Sequence, residues 1–150
     1  MALGEREGTA EINVSEMSVF SSILSQTPAA TAFHSQTRVT RSETIRVARL
    51  DDVVAELSPS KAAFLKIDTQ GYERQVLLGA SKCLSDFVGV QMELPITHFY
   101  EGTWRLPEAI AFMSERGFEI SNIMPVNYDP SDNVSLVEVD CIFRRESSKE

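Results

Sequence analysis

Three observations predict an α/β fold in a single domain. The stretch from Phe64 to Glu73, FLKIDTQGYE, runs a short apolar strand into a polar, glycine-broken turn and then a helix. From Ala63 to Arg116, short β-type runs alternate with helical patterns. The two final strands are joined only by a polar, turn-rich connection, which makes them antiparallel neighbours. A chain of 150 residues is long enough to bury one core and needs no second domain.

The elements follow in order. Thr9 to Val14 (TAEINV) alternates as a strand, after a turn signal at Glu5 to Gly8. Met17 to Leu24 reads as a short helix or an irregular segment. Ser25 to Arg41 is rich in Ser, Thr, Ala and Gln without apolar periodicity, so a mobile loop is expected over 25–41. Thr44 to Ala48 is a strand that can pair with the first. Asp51 or Asp52 can cap a short helix carrying Val53, Val54 and Leu57 inward and stopping before Pro59. Then come a strand at Ala63 to Ile67, a helix at Tyr72 to Leu84 and a strand at Phe87 to Glu93. A helix at Leu106 to Arg116 follows, with Pro107 in its first turn and Gly117 past its end. Strands at Phe118 to Met124 and Leu136 to Phe143 flank the turn-rich Asn127 to Asn133.

Composition excludes several classes of function. Asp and Glu number 22 against 14 Lys and Arg, a formal charge of -8, whereas proteins that track phosphate backbones gather basic residues on one face. No nucleic-acid partner is expected. Cys83 and Cys141 lie far apart with no CxxC spacing, and the two histidines, His34 and His98, form no ligand pair, so no metal site is expected and both thiols read as buried and free. No apolar run approaches a membrane span, and no basic-then-apolar leader pattern is present, so a cytoplasmic protein is the expectation.

The chemistry concentrates around the turn. Phe64, Leu65 and Ile67 suit a strand buried on both faces of a parallel sheet. Asp68 and Gln70 sit at its carboxyl end, the rim where open α/β sheets bind ligands, and Gly71 permits the sharp turn into the helix. Asp68 is either a base for a substrate hydroxyl or a cap for that helix. Lys66 either meets a ligand or packs its stem with its head at the surface. Gln70 is a substrate contact or a turn former, and Glu73 a substrate contact or a carboxylate favoured by the helix dipole. Glu93 ends the next strand, where two nearby carboxylates can separate their proton affinities and leave one as base. His98, in the loop ITHFYEGTW, is a candidate imidazole base. Tyr100 and Trp104 offer either a platform for an acceptor or packing over the core.

The wording of these segments resembles a known family. KIDTQGYE followed by VLLGA at Val76 to Ala80 is similar to the K-I-D-V-[EQ]-G-x-E-x-x-V-L-x-G-A signature of the FkbM family of S-adenosylmethionine-dependent methyltransferases. Ala2 to Gly8 (ALGEREG), Val47 to Val53 (VARLDDV), Val90 to Leu94 (VQMEL), Tyr100 to Gly102 (YEG) and Gly117-Phe118 match further family segments in order. The resemblance implies a Rossmann-like class I methyltransferase sheet of order 3-2-1-4-5-7-6, with the strand of Asp68 as the fourth. It implies S-adenosylmethionine as cofactor and, as acceptor, a hydroxyl of a sugar, polyketide or similar small molecule. Asp68 and Gln70 would then meet the cofactor's methionyl end, and Ala2 and Leu3 would lie near its adenine.

Measured against that family, the chain is expected to lack the N-terminal strands, with their glycine-rich cofactor turn and ribose-binding carboxylate, because no G-x-G-x-x-G occurs in it. The strand of Ala63 to Ile67 would then be an open edge, favouring a homodimer or pairing with another segment. A non-catalytic fragment or interaction module is the alternative from a different functional class.

Overall fold

A computed structural model describes residues 1–57 and 62–145. The elements are β1 (Ala2–Leu3), β2 (Gly8–Ser15), α1 (Pro28–Phe33), β3 (Val39–Ala48), α2 (Leu50–Leu57), β4 (Phe64–Ile67), α3 (Glu73–Leu78), β5 (Gly89–Pro95), α4 (Leu106–Ser114), β6 (Phe118–Tyr128) and β7 (Leu136–Arg145). They form a three-stranded sheet of order β1-β3-β2 and a four-stranded sheet of order β4-β5-β7-β6. β2 pairs with β3, as the sequence suggests, and runs antiparallel to it; β6 runs antiparallel to β7, as the sequence predicts. No helix among the described residues is long and apolar enough to cross a membrane.

Period-2 patterning sets the two faces of the larger sheet. In β5, Val90, Met92 and Leu94 are fully buried, and in β7 Val139, Cys141 and Phe143 lie beside them. Leu50 of α2, Val76 and Leu77 of α3, and Ala109 and Met113 of α4 close over this face. Each such aliphatic side chain contributes about 1.5–3 kcal/mol when fully buried. The alternate residues Gln91, Glu93, Glu138 and Asp140 share the opposite face. Both cysteines are buried and free.

Several expectations require correction. β4 is not buried on both faces. Among the described residues it pairs only with β5, and Phe64 is 50% exposed and Lys66 is exposed. The helix after the turn starts at Glu73, with Tyr72 as its cap, and stops at Leu78 instead of Leu84. It stops because Gly79 packs on the Gly4 backbone so closely that a Cβ there would sit 2.1 Å from the Gly4 carbonyl oxygen; a short 3-10 turn follows at Cys83–Asp86. Leu57 is 72% exposed rather than inward, and Leu50 takes the core position. Pro59, expected to stop α2, lies outside the described residues.

Asp51 does more than begin α2. Its Oδ1 accepts from the Lys82 and Cys83 N–H groups at 2.9 and 3.0 Å, and its Oδ2 from Arg49 Nη2 at 2.6 Å and Ser81 Oγ at 3.2 Å. Burial pushes this carboxyl up, but those donors overcome it and hold it well below the usual carboxylate range. The second acidic residue of the LDD segment, Asp52, is exposed.

Segment 25–41 is built rather than structureless. Pro28 opens α1 at a position where its missing N–H costs nothing, a 3-10 turn spans Ser35–Thr37, and β3 begins at Val39. Its weak periodicity concealed a short anchor, in which Ala30 packs with Phe99, Tyr100 and Val137. The Thr27 N–H donates to the Phe99 carbonyl at 2.8 Å and the Glu101 N–H to the Ser25 carbonyl at 2.8 Å. The segment therefore closes over the loop that follows β5.

Candidate active site

The site begins with a backbone that local preference alone does not favour. Gln70 has φ +52° and Gly71 φ +93°. A left-handed non-glycine residue costs about 1–2 kcal/mol, so other contacts must hold it. At Gly71 a Cβ would meet Thr103 Cγ2 at 2.4 Å, which makes glycine necessary for contact as well as for conformation. Glu73, 1% exposed, is the clamp: its Oε1 accepts from Thr69 N–H at 3.0 Å, Thr69 Oγ1 at 3.0 Å and Gly71 N–H at 3.1 Å. From the far side Ser22 Oγ donates to the Gln70 carbonyl at 2.7 Å.

This clamp aims the Gln70 side chain along the rim. Ile67 pairs with Met92 in the parallel ladder, so Asp68, which follows the end of β4, comes beside Glu93, which is still inside β5 and paired with Asp140 of β7. Gln70 Nε2 lies 3.3 Å from Asp68 Oδ1 and 3.4 Å from Glu93 Oε1, and Gln70 Oε1 lies 3.0 Å from the Tyr100 hydroxyl. That hydroxyl is also 3.0 Å from the Phe20 carbonyl; with one proton it donates to one of them at a time.

Electrostatics separates the carboxyls. Burial, then the negative charges of Glu138, Asp68 and Asp140, push the Glu93 carboxyl up to about 7, with the Gln70 bond opposing. Burial also raises Glu138, against an Asn127 Nδ2 donor at 2.7 Å. Tyr100 is raised by burial and by the charges of Glu138, Glu73 and Glu93, so it remains a neutral donor. Among the described residues, no group of three or more His, Cys, Asp or Glu side chains is placed to hold a metal ion.

A half-buried carboxyl with a proton affinity near neutrality, beside a second carboxylate and an amide, suits proton removal from a hydroxyl. The model of the family described as the methyltransferase FkbM domain matches residues 1–120. The chain belongs to the FkbM methyltransferase family. No curated protein and no solved structure matches it.

The other residues that the sequence nominates in this FkbM chain separate into groups. Lys66 Nζ stands 3.4 Å from Asp68 Oδ2 with its head exposed, an ion pair of small energetic weight. Glu73 is too buried to meet a substrate, so its substrate-binding reading gives way to the clamp. Trp104 packs in the core, edge to face with Phe112 at 5.4 Å, and with Phe112 also lines a cavity beside Arg74 and Glu108. His98 joins the site through its carbonyl, which accepts from Thr27 Oγ1 at 2.8 Å; its imidazole is not among the groups bonded to Asp68, Gln70 or Glu93. Ala2 and Leu3 pair with Val47 and Ala48, and Gly4 rests against Tyr72 and Gly79, away from the Asp68–Glu93 group.

Sequence reasoning missed Ser22, the Phe20 carbonyl, Thr103, Glu138 and Asp140. Only the last two left a readable signal. They alternate with Val137, Val139 and Cys141, which puts both acids on one face of a strand, but the register that brings them to Glu93 is not legible from that alternation.

Proposed function

We propose that this chain carries the acceptor side of an S-adenosylmethionine-dependent O-methyltransferase site, acting on a hydroxyl of a sugar, polyketide or similar small molecule. The observation that carries the reading is the placement of Asp68, just past the end of β4, beside Glu93, near the end of the parallel strand β5, the two tied by Gln70. The order β4-β5-β7-β6 with β7 antiparallel supports a class I methyltransferase sheet, whose second half runs 4-5-7-6.

The fit to the cofactor is partial. Asp68 and Glu93 are carboxylates suited to its cationic methionyl end, whereas the cavity behind Gln70 is about 10 Å3, far below the roughly 300 Å3 at which drug-sized pockets begin. Asp68 and Gln70 would hold the methionyl end on the open rim. When bound, S-adenosylmethionine supplies the electrophilic methyl group. The chain's residues would then orient the acceptor and move its proton: Glu93, ionised, would take the hydroxyl proton, while Gln70 fixes the carboxylate and Tyr100 fixes Gln70. Release of S-adenosylhomocysteine with a panel of hydroxyl acceptors tests the reading; no turnover with any of them, by a protein shown to bind the cofactor, would count against it.

The open side of β4 favours a second reading, an interaction module, and two measurements separate the two. The chain is expected to bind S-adenosylmethionine weakly or not at all in calorimetric titration, because the cavity beside Gln70 and Glu93 is too small to enclose it. Micromolar binding at one site per chain would overturn that expectation. Phe64 and the neighbouring Val88, both about half exposed, flank an edge that has no strand partner among the described residues. Self-association through this edge with a second copy is expected in sedimentation, and a stable monomer at high concentration would refute it.

A further inference from the structure

Glu93 shares its face of the sheet with a carboxyl that the mechanism above leaves unused. Across β5 and β7, Glu93 pairs with Asp140 and Pro95 with Glu138, so Glu138 is the diagonal neighbour of Glu93, within reach of a long side chain. Glu138 is 9% exposed. It lines, together with Glu93, Gln70, Tyr100 and Glu73, the cavity of about 10 Å3, roughly the space of one water. Two carboxyls facing one small cavity resist ionising together.

We propose that Glu138 is a positioning residue of this site, a carboxyl that adds to the burial of Glu93 in opposing loss of its proton and so makes the pair a pH gate on the reaction. The inference rests on Glu93 as the base. The other charges around Glu93 are Asp68 and Lys66 from β4, Asp140 from β7, and the Tyr100 hydroxyl from the loop after β5, with Glu73 of α3 behind Tyr100. Lys66 is exposed and already paired to Asp68, so it offsets little. Of the negative neighbours, Glu138 acts on Glu93 more strongly than Asp68 or Asp140.

Carboxyl-carbon NMR titration of Glu93, in the chain without cofactor or acceptor, is the test. Glu138→Gln preserves an oxygen for Asn127 to donate to and removes the charge. The midpoint of Glu93, about 7 in the parent, is expected to fall by about one pH unit, with a smaller fall in Asp140→Asn. With the base ionised at lower pH, turnover at pH 6 relative to pH 8 rises about fivefold in Glu138→Gln. Should Glu138→Gln fold poorly, Asn127→Leu serves: loss of its donor leaves Glu138 protonated more readily, and the Glu93 midpoint again falls. A Glu93 midpoint unmoved in a folded variant overturns the proposal. Absence of methyl transfer at any pH would instead sink the methyltransferase reading, since the NMR midpoint requires no turnover.

Discussion

Glu93→Gln is expected to lower methyl transfer by about 100-fold to 10,000-fold, the usual cost of losing a positioned general base, in the protein as its gene encodes it. The substitution keeps the shape of the side chain and an oxygen for Gln70 Nε2, so the fold should survive. Its thermal midpoint should hold, or rise above pH 7, because burial and three carboxylate neighbours make the ionised form of Glu93 unfavourable in the folded chain. Activity of the parent enzyme should climb with pH through about 7 as the base loses its proton. Asp68→Asn is expected to cost less, because Asp68 is the more exposed carboxylate, spends part of its charge on Lys66 and is hydrogen-bonded to the base's partner Gln70 rather than being the base. Turnover and melting curves measured together decide the order. If Asp68→Asn lost more turnover than Glu93→Gln at equal stability, the proton would go to Asp68; if Glu93→Gln retained near-normal turnover, the assignment of the base would be wrong.

Glu93 thus stands ahead of Asp68, and the reason it is harder to see in the sequence is physical. Asp68 stands out in the sequence because it sits at a strand–turn–helix junction, a local pattern that FLKIDTQGYE displays in full. The advantage of Glu93 comes from its surroundings: Glu138 and Asp140 arrive from a strand some forty-five residues later, and only register can place them. The same division runs through the fold. β5, α4, β6 and β7 were legible because their apolar residues recur at the period of their own element. The early end of α3 was not, because it depends on Gly4 meeting Gly79 across the chain. The anchor α1 was also hidden: six residues of Pro, Ala, Thr and Phe carry too little pattern, and its worth lies in Phe99, Tyr100 and Val137.

Glu73→Ala is expected to cost about 3 kcal/mol or more of stability, since it leaves three donors, of Thr69 and Gly71, without their acceptor, at roughly 1–3 kcal/mol for a buried group, and frees Gln70 to abandon its left-handed conformation. Turnover should collapse along with stability, because the same clamp aims Gln70 at Asp68 and Glu93. Glu73→Gln should behave differently. Its amide oxygen can accept from Thr69 and Gly71 as the carboxyl does, and it mimics the protonated acid. Burial raises Glu73, against the donors of its turn, so the folded state holds this proton more tightly than the unfolded chain does. Stability from that difference is complete below the ordinary value of 4.5 and is lost as pH rises through the folded value. Glu73→Gln removes this loss, so denaturant melts should place it near the parent at pH 5 and above it at pH 8. A Glu73→Ala cost below about 1 kcal/mol, the net worth of one ordinary hydrogen bond, would show that the turn holds itself and that Glu73 is not its clamp.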